Sequence, residues 1–269
     1  MPELPEVETI RRDLSKDLKG KKIKDVEVLN PKVIKEPKAA EFKRRLKGAT
    51  FKQFLRRAKV LAIKLSTGED LVVHLRMTGQ LVYAGKREEK ARVIFVLTDG
   101  KYLNFNDQRL FAELRLVSDW QSLKFVQGLG PEPLAKGFTA QKFKQLLEGK
   151  KTKIKPLLLD QTFIAGIGNL YAQEALFLSA ILPTRAANQL KGAEIKRLHR
   201  AIQKVLQEGI QYHGSSIDNY VNGRGKKGSY QLRLKVYARK DEPCVKCRTK
   251  IQKINLGGRG TCFCPRCQK

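Results

Sequence analysis

Along roughly the first 120 positions, apolar and polar residues alternate; beyond them the period lengthens. In "ATFKQFLRRAKVLAIKLSTGEDLVVHLRMTGQLVYAG" and "ARVIFVLTDGKYLNFNDQRLFAELRLV" the runs break at Thr-Gly, Asp-Gly and Thr-Gly pairs. This pattern predicts short strands joined by tight turns, and several of them in series predict an antiparallel β-sandwich. Ahead of the strands, Val7, Ile10, Leu14 and Leu18 keep helical spacing, Pro5 suits a first turn, and Glu6 and Glu8 suit the positive end of the helix dipole. After the Pro/Gly-rich "LGPEPL", helices are predicted at about 139–149, 153–161, 170–180 and 193–212. The last places Ile195, Leu198, Ile202, Val205 and Ile210 on one face. "AGIGN", between the second and third, is a glycine turn that predicts a helix–two-turns–helix unit. "YQLRLKVYA" reads as a strand, and "KINLGGRGT" as two short strands joined at Gly257-Gly258.

These elements predict an α+β fold: an N-terminal antiparallel β-sandwich flanked by a helix, then a helical domain, then a β-hairpin. The predicted boundaries are residues 1–130 for the sandwich, 131–150 for a hinge, 151–230 for the helical domain and 231–269 for the terminal hairpin.

Charge changes the picture. Lys and Arg number 55 against 26 Asp and Glu, a formal +29, which calls for a polyanionic partner. Basic residues recur along the whole chain, as a nucleic-acid-binding protein requires. A membrane surface would ask for one concentrated basic amphipathic segment, and no apolar run approaches the ~20 residues of a membrane span. The first thirty residues lack a signal peptide's apolar stretch, which predicts a cytoplasmic protein. Charge alone does not separate a DNA enzyme from a passive DNA binder.

All five cysteines fall in the last 26 residues. Cys244 and Cys247 form one Cys-x2-Cys pair and Cys264 and Cys267 another, with 16 residues between them. A disulfide pair is the bland reading, but the spacing fits a four-thiolate zinc site closed to further ligands, hence one structural Zn²⁺. Cys262 lies outside the pairs as a free thiol. Arg259, near the hairpin tip, is either solvated or, in so basic a chain, a phosphate contact. Two motif matches fail on context. Gly223, Gly225 and Gly228 satisfy G-x-G-x-x-G but precede a strand-like run instead of following one. The Pro-Cys-x-x-Cys of nucleobase deaminases needs His-x-Glu, and none of His74, His199 or His213 has a Glu two residues on.

In "FLRRAKVLAIKL", strand alternation puts Leu55, Lys59, Leu61, Ile63 and Leu65 on one face. Lys59 is either a strand-end lysine snorkelling to water or a desolvated amine with a lowered pKa, usable as proton donor or nucleophile. One further oddity is the start itself: Pro2 and Glu3 precede the helix and have no part in its pattern.

"PELPEVET", "LLDQTFIAGIGNLYAQEALF" and "CVKC…RGTCFCPRC" together resemble the formamidopyrimidine-DNA glycosylases, bacterial base-excision repair enzymes, over effectively the whole chain. The resemblance implies a bifunctional glycosylase and abasic-site lyase acting on oxidised purines in double-stranded DNA, as a monomer at the nucleoid. It implies that Met1 is removed and that Pro2 attacks the sugar, with Glu3 as acid. Lys59 then assists elimination and Arg259 grips the flanking phosphates. It gives Met77, Arg109 and Phe111 the task of filling the gap left by a flipped base, and Lys150 and Asn169 backbone contacts. This sequence departs from the family pattern at Ala91, where a Lys-His-x-His run is expected, at Leu110 and Ala112 within Asp-x-Arg-Arg-Phe-Gly, and at Ala238, where a glycine precedes the arginine. These departures bear on DNA grip and lesion preference. The rival readings are an endonuclease VIII-type enzyme for oxidised pyrimidines, whose start resembles "PEGPE", and a non-catalytic zinc-ribbon DNA binder, which would need no N-terminal amine.

The charge predicts a steep salt dependence. Log affinity for duplex DNA should fall against log salt with a slope of about −0.9 per neutralised phosphate, summed over several phosphates. A slope near zero in a salt titration would contradict the polyanion reading.

Overall fold

Helix α1 (Leu4–Leu18) starts where proline and a reciprocal capping pair place it: Glu3 is the N-cap, and the Glu6 carboxylate accepts the Glu3 N–H at 2.8 Å. Its buried stripe of Val7, Ile10, Leu14 and Leu18 is the one the spacing predicts. The computed structural model describes residues 1–269. They divide into two compact units: Met1–Gln127 with Ile210–Gln231, and Gly128–Gly209 with Leu232–Lys269.

In the first unit follow β1 (Ile23–Val28), β2 (Ile34–Glu36), α2 (Ala39–Leu46), β3 (Phe51–Arg57), β4 (Val60–Leu65), β5 (Asp70–His74), β6 (Gln80–Ala84), β7 (Ala91–Leu97), β8 (Tyr102–Asn106) and β9 (Glu113–Val117). They build a four-stranded sheet in the order β1-β7-β8-β6 and a five-stranded sheet in the order β2-β9-β5-β4-β3. Every pairing is antiparallel except the short β2–β9 contact, which is parallel. Val26, Leu81, Phe95 and Phe105 from one sheet share a core with Phe51, Ile63, Val73 and Leu114 from the other, closed by α1 and by Phe42 and Leu46 of α2. Helix α2 escaped the sequence reading because two apolar residues four apart are too few to show a period.

Strand β4 is buried on both faces. Leu61, Ile63 and Leu65 face the sandwich core, whereas Val60 and Ala62 pack with Val72, Trp120 and Val126, part of a segment that includes α3 (Lys124–Gln127). The shared face expected for Leu55, Lys59 and the β4 residues does not form. Arg57 pairs with Val60, so Ala58 and Lys59 are a two-residue hairpin turn, and Leu55 pairs with Ala62 on the opposite face. The turn resets the alternation that a single strand would keep. Ala58 takes φ +52°, and its carbonyl accepts from Arg56 Nη1 at 3.0 Å.

In the second unit, α4 (Ala140–Leu147) lies within the stretch read as a hinge and is capped by Thr139, whose Oγ1 accepts the Lys142 N–H. Then come α5 (Ile154–Leu159), α6 (Asn169–Leu178), α7 (Gly192–Gln211, whose final two residues fall in the first unit) and the hairpin β10 (Gln252–Leu256) and β11 (Arg259–Phe263). "YQLRLKVYA" is not a strand. It forms a short 3-10 turn at Tyr230–Arg233, and the N–H groups of Lys235, Val236 and Tyr237 all go to the buried Glu174 carboxylate at 2.9–3.0 Å. A side-chain acceptor has taken the donors that a sheet ladder would need. Residues 210–231 belong with the first unit because their bonds lie there: Ser215 N–H to Glu6, Tyr83 N–H to the Gly223 carbonyl, and Arg224 to Asp17 through two hydrogen bonds at 2.7 and 2.9 Å. No helix is long and apolar enough to cross a membrane.

Glu8 fastens α1 to β3. Its oxygens accept from Arg11 at 2.8 and 3.0 Å, from Arg12 at 2.8 Å and from Arg56 of β3 at 3.0 Å. Burial alone would raise the carboxyl's pKa, but these hydrogen bonds and the Arg11 charge hold it down to about 2. A depressed carboxylate pKa contributes stability at pH values above its unfolded value, lost as pH falls through the folded one. Stability measured by denaturant should therefore fall between about pH 4.5 and 2, and Glu8→Gln should lower stability at neutral pH while flattening that acid limb. An unchanged acid limb in the variant would refute the assignment.

Candidate functional site

The N-terminal residues form the first part of the site. Pro2 and Glu3 are buried, Glu3 being only 4% exposed, although chain ends ordinarily fray. They are held through Glu6, whose Oε2 accepts the Glu3 N–H while its Oε1 accepts the Ser215 N–H at 2.9 Å. The Tyr220 hydroxyl donates to the Glu6 carbonyl at 3.4 Å. Gly214 (φ +82°) must be glycine here, since a Cβ would come within 2.9–3.0 Å of the Glu6 side chain. The Met1 amine lies 3.7 Å from the Asp218 carboxylate.

Lys59, in the β3–β4 turn, is buried, and its charge acts on His74, which lies across the ladder opposite Val60. Burial, reinforced by the Arg76 and Lys59 charges, pulls the His74 pKa down to about 4, so the imidazole is neutral at physiological pH. Its Nδ1 accepts the Arg76 N–H at 3.1 Å.

Met77, Arg109 and Phe111 are brought together. The Arg109 guanidinium lies 3.4 Å from the Met77 sulfur and 4.8 Å from the Phe111 ring centre, and Met77 and Phe111 are exposed. Sequence reasoning missed what holds them. Asp107, fully buried, accepts from Thr78 Oγ1 and from the N–H groups of Arg109 and Ala112 at 2.5, 3.2 and 2.7 Å. Leu110, at φ +58°, packs against the sandwich core where the family pattern has a second arginine, and Ala112 is buried against Gly79. The departures at 110 and 112 thus anchor the loop from beneath and leave its exposed residues in place. Ala91 is buried in β7, and Ala238 accepts a left-handed φ of +61° where glycine would cost nothing.

In the second unit the α5–α6 connection is laced by Gln161. Its amide donates to the Leu159 and Ile167 carbonyls and accepts the Gly166 N–H, which ties the two turns into one rigid tip. Asn169 opens α6 at that tip and donates to the Gly260 carbonyl at 3.3 Å, next to Arg259, which stands exposed at the start of β11. The hairpin turns through Gly257 (φ +61°) and Gly258 (φ +71°), the left-handed pair that a two-residue turn demands. Asn169, Gln173, Tyr237, Lys240 and Lys253 line a polar recess beside this contact. Lys150, exposed beyond the end of α4, lowers the pKa of Asp160 through its charge, after the Thr162 hydrogen bonds.

The metal site is complete. The sulfurs of Cys244, Cys247, Cys264 and Cys267 lie within 4.8 Å of one another, with Cys244–Cys267 at 3.9 Å and Cys247–Cys264 at 3.4 Å. A tetrahedron with Zn–S near 2.3 Å needs sulfurs about 3.8 Å apart, so the four thiols fit one zinc with no ligand position left over. Each pair sits on a tight turn whose N–H points back at the first sulfur, Lys246 at Cys244 and Cys267 at Cys264, both 3.4 Å. Cys262 is buried outside the set.

A buried N-terminal segment, an exposed cluster of Met77, Arg109 and Phe111 and a zinc hairpin bonded to a helix–two-turns–helix tip point to a DNA-processing enzyme. Residues 1–114 match the family model of the formamidopyrimidine-DNA glycosylase N-terminal domain, 129–221 that of its H2TH domain, and 241–269 that of the zinc finger found in FPG and IleRS. The formamidopyrimidine-DNA glycosylase of Pelotomaculum thermopropionicum is 48% identical over all of this chain and 99% of its own length, and that of Bacillus subtilis 44% over the same shares. Among solved structures, Lactococcus lactis Fpg with abasic-site DNA superposes with a TM-score of 0.92 at 38% identity, covering 99% of both chains. The same protein with Fapy-dG DNA gives 0.91, covering 99% of this chain and 100% of the other. The chain belongs to the formamidopyrimidine-DNA glycosylase family, whose members are glycosylases and abasic-site lyases.

Since the closed thiolate set contributes folding energy to so small a hairpin, Cys264→Ser should lose both the metal and DNA cleavage. Cys262→Ser should retain both. Zinc content by elemental analysis decides it: one metal per chain in the Cys264 variant would overturn the ligand set.

Proposed function

We propose that this chain removes oxidised purines, 8-oxoguanine and formamidopyrimidines, from duplex DNA and then cuts the strand, with Pro2 as the nucleophile after Met1 is cleaved off. The observation that carries this reading is the double clamp of Glu6 on a buried N-terminal segment, from Glu3 on one side and Ser215 on the other. Binding alone would give a protein no reason to immobilise its first residues. Freed of Met1, the Pro2 nitrogen is a secondary amine, and an unperturbed α-amino group titrates at about 7.7–8.0, leaving a useful neutral fraction near pH 7. The amine attacks C1′ of the sugar, the glycosidic bond breaks, and the base departs. Glu3 protonates the ring oxygen as the sugar opens, which gives an iminium between Pro2 and C1′. Electron withdrawal by the iminium acidifies C2′, so loss of its proton expels the 3′ phosphate, and a second elimination expels the 5′ phosphate.

In this reading Lys59 contributes a cation from the β3–β4 turn, and neutral His74 a hydrogen-bond donor in place of a second charge. Met77, Arg109 and Phe111 occupy the space of the extruded nucleotide, because a base inside the stack is out of the amine's reach. Arg259, Asn169 and Lys150 hold the phosphate backbone, and the zinc is structural. The partner is damaged double-stranded DNA, the working form a monomer, and the location the cytoplasm, at the nucleoid. The relative crystallised with Fapy-dG DNA supports the purine reading over the pyrimidine branch.

Intact-mass measurement should show loss of one methionine. Borohydride added to an abasic or 8-oxoguanine duplex should trap a covalent adduct on the N-terminal peptide, and thymine glycol duplex should be cut more slowly. A chain with one residue retained ahead of Pro2, whose nitrogen is then a tertiary amide, should bind damaged DNA yet neither cut nor trap. Trapping at the native level by that extended chain would move the nucleophile elsewhere, with Lys59 first in line.

A further inference from the structure

Gln173, on α6, is buried to 1% exposure and spends its whole amide on the zinc hairpin and its own helix. Its Oε1 accepts the Cys262 N–H at 2.7 Å, and its Nε2 donates to the Gly260 carbonyl at 3.2 Å and to the Asn169 carbonyl at 2.9 Å. Gly260 and Cys262 are two apart on β11, whose other edge is paired with β10. The side-chain amide therefore behaves as one residue of a neighbouring strand, satisfying the outer edge of β11 just where Arg259 begins it. Asn169, one turn earlier on α6, donates to the same Gly260 carbonyl. Between those two residues, the buried Lys155 Nζ donates to Thr261 Oγ1 at 2.8 Å. An amide alone supplies both the donor and the acceptor that this two-point contact needs; a carboxylate lacks the donor and a hydroxyl lacks the reach.

We infer that Gln173 is a positioning residue: it sets Arg259 on the hairpin against Asn169 on α6, so that the two grip the phosphate backbone as one unit. The inference rests on the phosphate role given to Arg259 and Asn169 above. Gln173 itself lies too deep to meet DNA and carries no charge, so any effect it has on the electrostatics of binding must pass through another side chain. That distinguishes it from a residue that merely stabilises the fold.

The test is a double-mutant cycle of Gln173→Leu and Arg259→Ala, read as affinity for a duplex carrying a reduced abasic-site analogue across a salt series, with zinc content measured on each protein. Gln173→Leu should keep one zinc and weaken binding about 5- to 10-fold, the scale of one or two lost hydrogen bonds. Although it replaces one neutral residue by another, it should reduce the salt slope by about 0.9, as removal of one phosphate contact does. In the Arg259→Ala background the same change should cost less than about twofold, because the partner it positions is gone. Gln173→Glu, isosteric but without the Gly260 donor, should show the same coupling if the leucine variant is poorly folded. Equal losses in both backgrounds, an unchanged salt slope, or zinc missing from the Gln173 variants would each overturn the inference. If Arg259→Ala itself left binding unchanged, the phosphate role of Arg259 would fail first and the positioning role with it.

Discussion

A chain terminus can take part in chemistry only if it is held, and here one carboxylate does the holding. Glu6 offers its two oxygens to two backbone N–H groups, one at Glu3 and one in the loop at Ser215. Each bond is sheltered from water, the setting in which an unpaired partner is most costly. The rest of the first unit serves this arrangement. The sandwich core anchors the apolar face of α1, the Glu8–arginine cluster fixes the helix to β3, and the same strand ends in the turn that carries Lys59.

The second unit is organised around hydrogen bonds from side chains to backbone. Gln161 laces the glycine turn, Glu174 gathers the three N–H groups ending at Tyr237, and Gln173 closes the edge of β11. The C-terminal residues add Gln268, which accepts the Cys264 N–H and donates to the Ile181 carbonyl. A 29-residue metal finger has too little core to define its own orientation. These amide and carboxylate contacts do so, with the zinc fixing the hairpin internally and α6 fixing it externally.

How much of this was legible in the sequence depended on whether the signal was local. Helices α1 and α7 were visible because four or five apolar residues kept one period, and the metal site because ligand spacing within each pair is itself the geometry. The Pro2–Glu3 oddity drew attention to the start of the chain through resemblance, but nothing nearby revealed that Glu6 binds a residue 209 positions away. Gln173 and Glu174 were equally silent, since a polar residue whose partners are distant backbone groups looks like any surface residue. The alternation that misplaced Lys59 on a strand face and made a strand of 230–238 failed for a related reason. Period reports side chains, whereas a two-residue turn and a competing carboxylate act on the backbone.

The loop bearing Arg109 and Phe111 is fastened from below by the Asp107 carboxylate and the inward Leu110. A probe already set in its working shape gives up no conformational freedom when it enters a stack. In the role proposed, the resistance it meets is then the cohesion of the base pair under it, lowest where damage has loosened the stack. In that role the wedge would work as a stiffness gauge: it would stall nowhere along intact duplex and sink in where the helix yields, before any atom of the lesion has been read.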